Sequence, residues 1–417
     1  PSTYGEPGRR TDVYRLGAVV YELLTGQPPY DESGAALIDA VTDPDRTPDP
    51  PSEHTDLAGT HDGPEAVDEL IQTALAVDPA DRYATAGAFA AALSGDSASD
   101  WGQFGATPAR RGSLPSTGPS LPSIGSTTSL EQSWGVDTGY NEVAATPVIA
   151  DGTAYVGGND DVLYAVRTDT GNEEWTVEFD SPVDSAAAVV DDTVLVHSGE
   201  TLFALARADG EELWNTDVGR VHGPPAVADG TVYLGNDDGV VIAIDSDTGE
   251  RDWTLEAGGY VRGGPAVAAG AVFVGDSDGT VYAVERDSGE TRWESESFDR
   301  GIETTPAVGF GSVYVVCGGD VTALEVGDGT AQWTYEGDAE FTSPAVAGGR
   351  VLVGSEYDGL TAIDTETGEH EYTVSEHDTV TAPAVSNGVA IACTGTGVVR
   401  GVSVADGTEA WSVDFDE

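Results

Sequence analysis

From Pro147 to the C-terminus, apolar runs of four to six residues recur with strong β periodicity, broken by short polar segments rich in Gly, Asp and Thr. One unit reads Gly264-Pro-Ala-Val-Ala-Ala-Gly270, Ala271-Val-Phe-Val-Gly275, Thr280-Val-Tyr-Ala-Val284, then Asp287-Ser-Gly289-Glu-Thr-Arg-Trp293. Each unit predicts four short strands, and the Asp-Gly and Thr-Gly pairs supply the positive-φ positions that tight hairpins need. Tryptophan marks the unit ends at Trp134, Trp175, Trp214, Trp253, Trp293, Trp333 and Trp411, with Tyr372 filling the one gap. The steps are 41, 39, 39, 40, 40, 39 and 39 residues. Gly171, Gly210, Gly249, Gly289, Gly329, Gly368 and Gly407 each lie four residues before the aromatic.

A period near 40 with four strands per unit predicts a β-propeller. A single four-stranded sheet cannot cover both faces, so each blade buries them against its neighbours. Seven units are complete, and Trp134 lies on an extra strand ahead of the first. The expected fold is mainly β, a propeller of seven four-stranded blades with that strand added at the closure. Eight blades is the alternative and needs strands the chain does not show. Equal spacing gives the aromatic series a shared blade-packing role.

Residues 11–94 follow a different period. Thr11 and Asp12 can cap a helix whose apolar face is Val13, Leu16, Val19, Val20, Leu23 and Leu24, stopped by Gly26 before Pro28-Pro29. Further helical patterns run over 65–77 and 84–93. Residues 95–130 are rich in Ser, Gly, Thr and Pro and read as a linker. Within it Trp101-Gly-Gln-Phe104 is a candidate for docking on the propeller.

Charge changes the picture. The formal net charge is -57, and all 17 basic residues are Arg. Such a surface repels itself at low salt and is screened in molar salt, where the Debye length is about 3 Å. Acid enrichment without Lys suggests a high-salt cytosol such as that of halophilic archaea. The same field makes nucleic acid a poor partner. No run of 18 apolar residues predicts a membrane span. Cys317 and Cys393 lie in different repeats and lack metal-binding spacing. The chain begins at Pro1 and contains no Met, so a missing N-terminus is expected and a targeting signal is not observable.

The unit ends resemble the PQQ-repeat (quinoprotein-like) family, with its Asp-x-x-Thr-Gly-x-x-x-Trp pattern. Here they read Asp245-Ser-Asp-Thr-Gly249-Glu-Arg-Asp-Trp253, and Asp364-Thr-Glu-Thr-Gly368 followed by Tyr372. The resemblance covers 131–417. It implies the fold and says little of function, since the family includes quinone-dependent dehydrogenases, BamB-like scaffolds and propellers attached to kinases.

Residues 1–94 resemble the end of a Ser/Thr protein kinase domain. Thr11-Asp-Val-Tyr-Arg-Leu-Gly17 with Tyr21-Glu-Leu-Leu-Thr-Gly26 is similar to the long helix of the C-lobe, and Asp78-Pro-Ala-Asp-Arg82 to the turn before its last helix. The resemblance gives Asp12, Gly17 and Arg82 structural roles, with Asp12 bracing the catalytic loop. Arg82 would pair with a Glu upstream of residue 1. Phosphoryl transfer needs a Gly-rich loop, a Lys and two Asp, and this chain has no Lys, His-Arg-Asp or Asp-Phe-Gly. ATP and Mg are implied only for a complete kinase, and this chain alone is not expected to be an enzyme. A fragment of a larger kinase–propeller protein is expected, with a decayed kinase as the alternative.

No catalytic residue or metal site is expected. A quinoprotein resemblance implies a calcium site, a base Asp and adjacent cysteines near the cofactor. Cys317 and Cys393 are not adjacent, so PQQ is not expected. Asp-rich loops such as Asn236-Asp-Asp-Gly239 and Asp276-Ser-Asp-Gly279 lack EF-hand spacing and read as hairpin turns. His54, His61, His370 and His377 sit in polar stretches without triad partners. The links from the outer strand of one blade to the inner strand of the next carry Arg220 and His222, Tyr260 and Arg262, Arg300 and Glu303, and Phe341. Converging Arg and aromatic side chains at a channel mouth fit an anionic small molecule or a peptide. Arg that merely neutralise nearby acids are the competing reading.

The domains expected are 1–94 (kinase-like, helical), 95–130 (linker) and 131–417 (propeller). The function expected is that of a sensor or docking propeller of a cytoplasmic Ser/Thr kinase signalling protein. A BamB-like protein-interaction scaffold and a PQQ-dependent dehydrogenase are the alternatives.

Overall fold

A computed structural model describes residues 14, 16–18, 20–21, 24–25, 27–30, 48–51, 54, 68, 71–77, 82 and 135. From residue 145 on it describes all but 338–339, 356–358, 375–379, 387, 396 and 415–417. The chain forms two compact units. Pro1–Ala98 with Pro115–Pro122 make one, and Ser99–Leu114 with Ser123–Glu417 the other. Asp12, Trp134, His61, His377, Trp101 and Phe104 lie outside the described residues.

The second unit is a seven-bladed propeller. Blade 1 consists of β1 (Val148–Ala150), β2 (Thr153–Gly157), β3 (Val162–Arg167) and β4 (Glu173–Glu178), paired in that order and antiparallel throughout. Blades 2 to 7 repeat the arrangement over 188–217, 226–256, 266–294, 307–336, 345–374 and 384–414. The three-residue first strands of successive blades stand side by side. The buried apolar residues cluster across these seams: Phe273 and Trp293 of blade 4 pack with Val313 and Val315 of blade 5, for example.

The repeat motif has a physical reason at each position. Asp151-Gly152 and Asp229-Gly230 take positive φ at both residues, as a two-residue hairpin whose twist matches its strands requires. At the unit end, Asp245 Oδ1 accepts hydrogen bonds from the Asp247 and Thr248 amides and from Thr248 Oγ1. Asp364 does the same for Glu366 and Thr367. A bulge between Ala243 and Ile244 then seats Trp253 opposite Ala243. An alanine stands opposite the aromatic in the other blades except the last, where Gly401 faces Trp411.

That aromatic reaches the next blade. Trp175, Trp214, Trp253, Trp293 and Trp333 each donate Nε1–H to a carbonyl 32 or 33 residues ahead, at 2.8–3.0 Å. Tyr372 makes the equivalent bond through its hydroxyl, 2.8 Å to the Val404 carbonyl. The next blade's motif glycine lies flat against each ring. The seam thus exchanges one polar bond and one aromatic face per blade.

In the first unit, the described residues from Tyr14 to Thr25 and from Ile71 to Ala74 are helical. Tyr21, Ile71, Ala74 and Leu75 are buried together. A β-carbon on Gly17 would sit 2.8 Å from that of Ala74, so the approach of the two segments needs glycine. Arg82 donates to the carbonyls of Ala76 (2.7 Å) and Val77 (2.9 Å) and lies 4.8 Å from the Tyr14 ring centroid. It thereby satisfies carbonyls that follow the helical turn.

Candidate functional site: the inter-blade links

The position of the links follows from one steric contact. Gly157, Gly235 and Gly275 end the second strands of blades 1, 3 and 4. A β-carbon there would meet Val183, Val261 and Ile302 at 2.3, 2.1 and 2.3 Å. Each link is therefore drawn down onto the strand end. The next link residues, Asp184, His222 (after Val221), Arg262 and Glu303, occupy equivalent positions in successive blades.

Three of these and one neighbour form a continuous polar chain. His222 Nε2 lies 3.0 Å from Asp237 Oδ2. Arg262 Nε donates to Asp237 Oδ1 at 3.2 Å, and its Nη1 to Glu303 Oε1 at 3.4 Å. The guanidinium sits 5.6 Å from the ring centroid of Tyr260, which is 52% exposed. Asp237 loses solvation, which opposes ionisation, but the hydrogen bonds and charges of His222 and Arg262 hold its carboxyl below the usual range.

The structure therefore brings His222, Tyr260, Arg262 and Glu303 together. Arg220 is exposed, and its carbonyl accepts the Asp237 amide (2.8 Å), fixing that loop. Arg300 is also exposed, and its side chain lies near Gly318. Its carbonyl accepts the Cys317 thiol at 3.0 Å. Phe341 is elsewhere: only 7% exposed, it packs on Tyr335 within the core between blades 5 and 6.

Two residues here, Asp237 and His197, escape the sequence reading. Asp237 was absorbed into a turn motif. His197 is the penultimate residue of the second strand of blade 2, at the register position where blades 1, 3, 4 and 6 have glycine. That break in the repeat is the signal by which it could be found. His197 is 1% exposed, and its Nε2 lies 2.5 Å from Ser185 Oγ. Among the described residues its buried Nδ1 has no hydrogen-bond partner. Burial pushes its pKa down to about 4; the Asp184 carboxylate opposes the shift and His222 reinforces it. The ring is thus neutral and shares one hydrogen bond between Nε2 and Ser185 Oγ, whose direction follows the ring tautomer.

The Asp-rich loops have internal explanations. Buried Asp276 accepts the Asp278 and Thr280 amides on one oxygen, and the Gly259 amide and Tyr282 hydroxyl on the other. Asn236 does similar work in blade 3. Among the described residues no three His, Cys, Asp or Glu are grouped to hold a metal ion. Cys317 is in blade 5 and Cys393 in blade 7. His370 is exposed, bonded to Thr373 and stacked beside Tyr335; His54 is exposed and bonded to Gln27.

Fold and link chemistry together define a repeat propeller with a chain of polar side chains across successive inter-blade links. The family model described as outer membrane protein assembly factor BamB, built on the PQQ repeat, matches residues 126–218, 184–262, 256–343 and 338–417, and the chain belongs to that family. BamB of Yersinia pestis is 25% identical over 285 residues, 65% of this chain and 64% of that protein. A quinohemoprotein alcohol dehydrogenase of Comamonas testosteroni is 34% identical over 138 residues, 27% of this chain and 19% of that one. A probable serine/threonine-protein kinase of Corynebacterium efficiens is 43% identical over 91 residues, 21% of this chain and 13% of the kinase. The chain thus spans less than two thirds of each of these relatives. Among solved structures, BamB of Moraxella catarrhalis superposes with TM-score 0.54 at 21% identity, over 63% of this chain and 82% of that one. The Comamonas testosteroni dehydrogenase gives 0.61 at 16% identity, over 76% and 73%. Both likenesses concern the fold.

Proposed function

We propose that the propeller is the sensor or docking module of a cytoplasmic Ser/Thr protein kinase signalling protein, with the catalytic half of the kinase outside these 417 residues. The observation that carries the reading is the joining of two likenesses in one chain: PQQ repeats over 126–417 and 91 residues 43% identical to a kinase. The polar chain His222–Asp237–Arg262–Glu303 would be the recognition element, with Tyr260 beside it and Arg220 and Arg300 as flanking exposed cations. An anionic group would compete with Asp237 and Glu303 for the Arg262 fork, which favours bidentate carboxylate or phosphate. No described helix is long and apolar enough to cross a membrane.

The test uses the protein encoded by the complete reading frame around this chain. Phosphate transfer from ATP should occur, and Arg220→Gln/Arg262→Gln/Arg300→Gln should change its rate or its response to acidic peptides. A reading frame without a Gly-rich loop and His-Arg-Asp, or a rate indifferent to the triple substitution, would end the proposal.

A second reading rests on the family match itself. A BamB-like propeller would act as a protein-interaction scaffold without phosphoryl transfer. Co-purification of the same partner with wild type and with a phosphoryl-transfer-dead variant, at equal stoichiometry, would favour it.

A further inference from the structure

A groove of about 420 Å³ runs between blades 1 and 2. Its floor is apolar: Phe179 and Phe203 meet at 4.9 Å between ring centroids and remain partly exposed. Phe203 and, in blade 3, Ile242 are apolar where four other blades carry a bonded polar side chain. Their counterparts are Tyr164 and Tyr282, whose hydroxyls bond Asp160 and Asp276, and Thr322 and Thr361, which bond Thr334 and Thr373. Blade 2 has a bare ring where those blades have a satisfied polar group. The rim is acidic, with Glu178, Asp180, Glu200 and Glu212, and among the described residues no basic one lines the groove.

An apolar floor inside a ring of carboxylates selects an aromatic or aliphatic side chain on a cationic segment. This chain contains one such segment close to the propeller in sequence. Trp101 is the one Trp of eight outside the blade series, and Phe104 follows it. Arg110 and Arg111 come next; with Asp100 they give residues 99–114 a net charge of +1 (two Arg, one Asp) in a chain of -57. About 30 residues separate Leu114 from blade 1, a reach on the order of 100 Å when extended, so the tether imposes no limit.

We propose that residues 101–111 dock in the groove between blades 1 and 2, Trp101 and Phe104 on the Phe179–Phe203 floor and Arg110-Arg111 against the acidic rim. The burial of aromatic surface survives high salt, where the ionic part is screened. The inference does not depend on the kinase reading.

The experiment is hydrogen–deuterium exchange on the full chain in molar salt. Trp101→Ala/Phe104→Ala should speed exchange of amides in 177–181 and 198–203 about tenfold, the loss of about 1.4 kcal/mol of local protection. Blades 4 and 5 should be unchanged. Glu200→Arg/Glu212→Arg, at exposed positions outside the core, should act on the same amides. A synthetic peptide of residues 99–114 added to the Trp101→Ala/Phe104→Ala chain should restore protection. Exchange indifferent to Trp101 and Phe104 overturns the proposal. Protection that rises with protein concentration instead puts a second copy in the groove, and overturns it too.

Discussion

The Trp253 ring lies so close to Gly289 of the following blade that a β-carbon there would sit 2.8 Å from it. The same glycine has φ of 72°, and the Trp253 indole N–H reaches past it to the Arg286 carbonyl at 2.8 Å. Turn conformation and seam packing thus demand the same residue. Gly289→Ala should cost roughly 2–4 kcal/mol, combining left-handed strain with displacement of an indole. Thermal unfolding in molar salt measures it; a midpoint within a degree of wild type would contradict the shared role.

His197 makes stability pH-dependent. It stays neutral in the fold down to about 4, whereas an unfolded His protonates near 6.5. Between those values the unfolded chain binds more protons, so stability rises with pH across the window and falls on acidification. The full difference is on the order of 3 kcal/mol. His197→Asn should flatten the stability profile between pH 4 and 6.5 relative to wild type, as read by denaturant unfolding at several pH values. Parallel profiles would show that His197 is not the group responsible.

The turn carboxylate of Asp364 accepts three hydrogen bonds, from the amides of Glu366 and Thr367 and from Thr367 Oγ1. These bonds hold its pKa below the ordinary value. Asp364→Ala should destabilise blade 6 locally, because three turn hydrogen bonds lose their acceptor. Amide exchange should accelerate at 364–370 before other blades respond. Uniform acceleration across the ring would point to global rather than local loss.

Net charge predicts a steep salt response. Raising ionic strength from 0.1 to 1 M shortens the Debye length from about 10 to about 3 Å, which screens repulsion among 74 acidic residues. The unfolding temperature should climb through that range in both KCl and NaCl. A salt-independent midpoint would mean that ion pairs such as Arg292–Glu285 and Arg207–Asp151 already balance the field.

The propeller was legible in the sequence because each blade repeats the same local solution: paired turn residues, four short strands and an aromatic at a fixed offset from a glycine. The candidate site was legible in part. Equivalent link positions pointed to His222, Tyr260, Arg262 and Glu303, since repeats place equivalent residues on one ring. Asp237 was not, because the loop that aims its side chain at Arg262 looks in sequence like any Asp-Gly turn. Phe341 looked like a mouth residue from its place in a link, yet its ring turns inward onto Tyr335.

By itself the sequence determined the four-stranded repeat unit, the hairpin chemistry and the acidic surface, because all three are set by local residue types and a regular period; the seven closed blades are seen in the structure. Tertiary structure alone decided which side chains from different blades meet. It buried His197 against Ser185, joined Asp237 to two neighbouring links and left Phe179 and Phe203 as a floor between blades. Those outcomes depend on sheet-to-sheet spacing and rotamer choice, which no period in a single chain encodes.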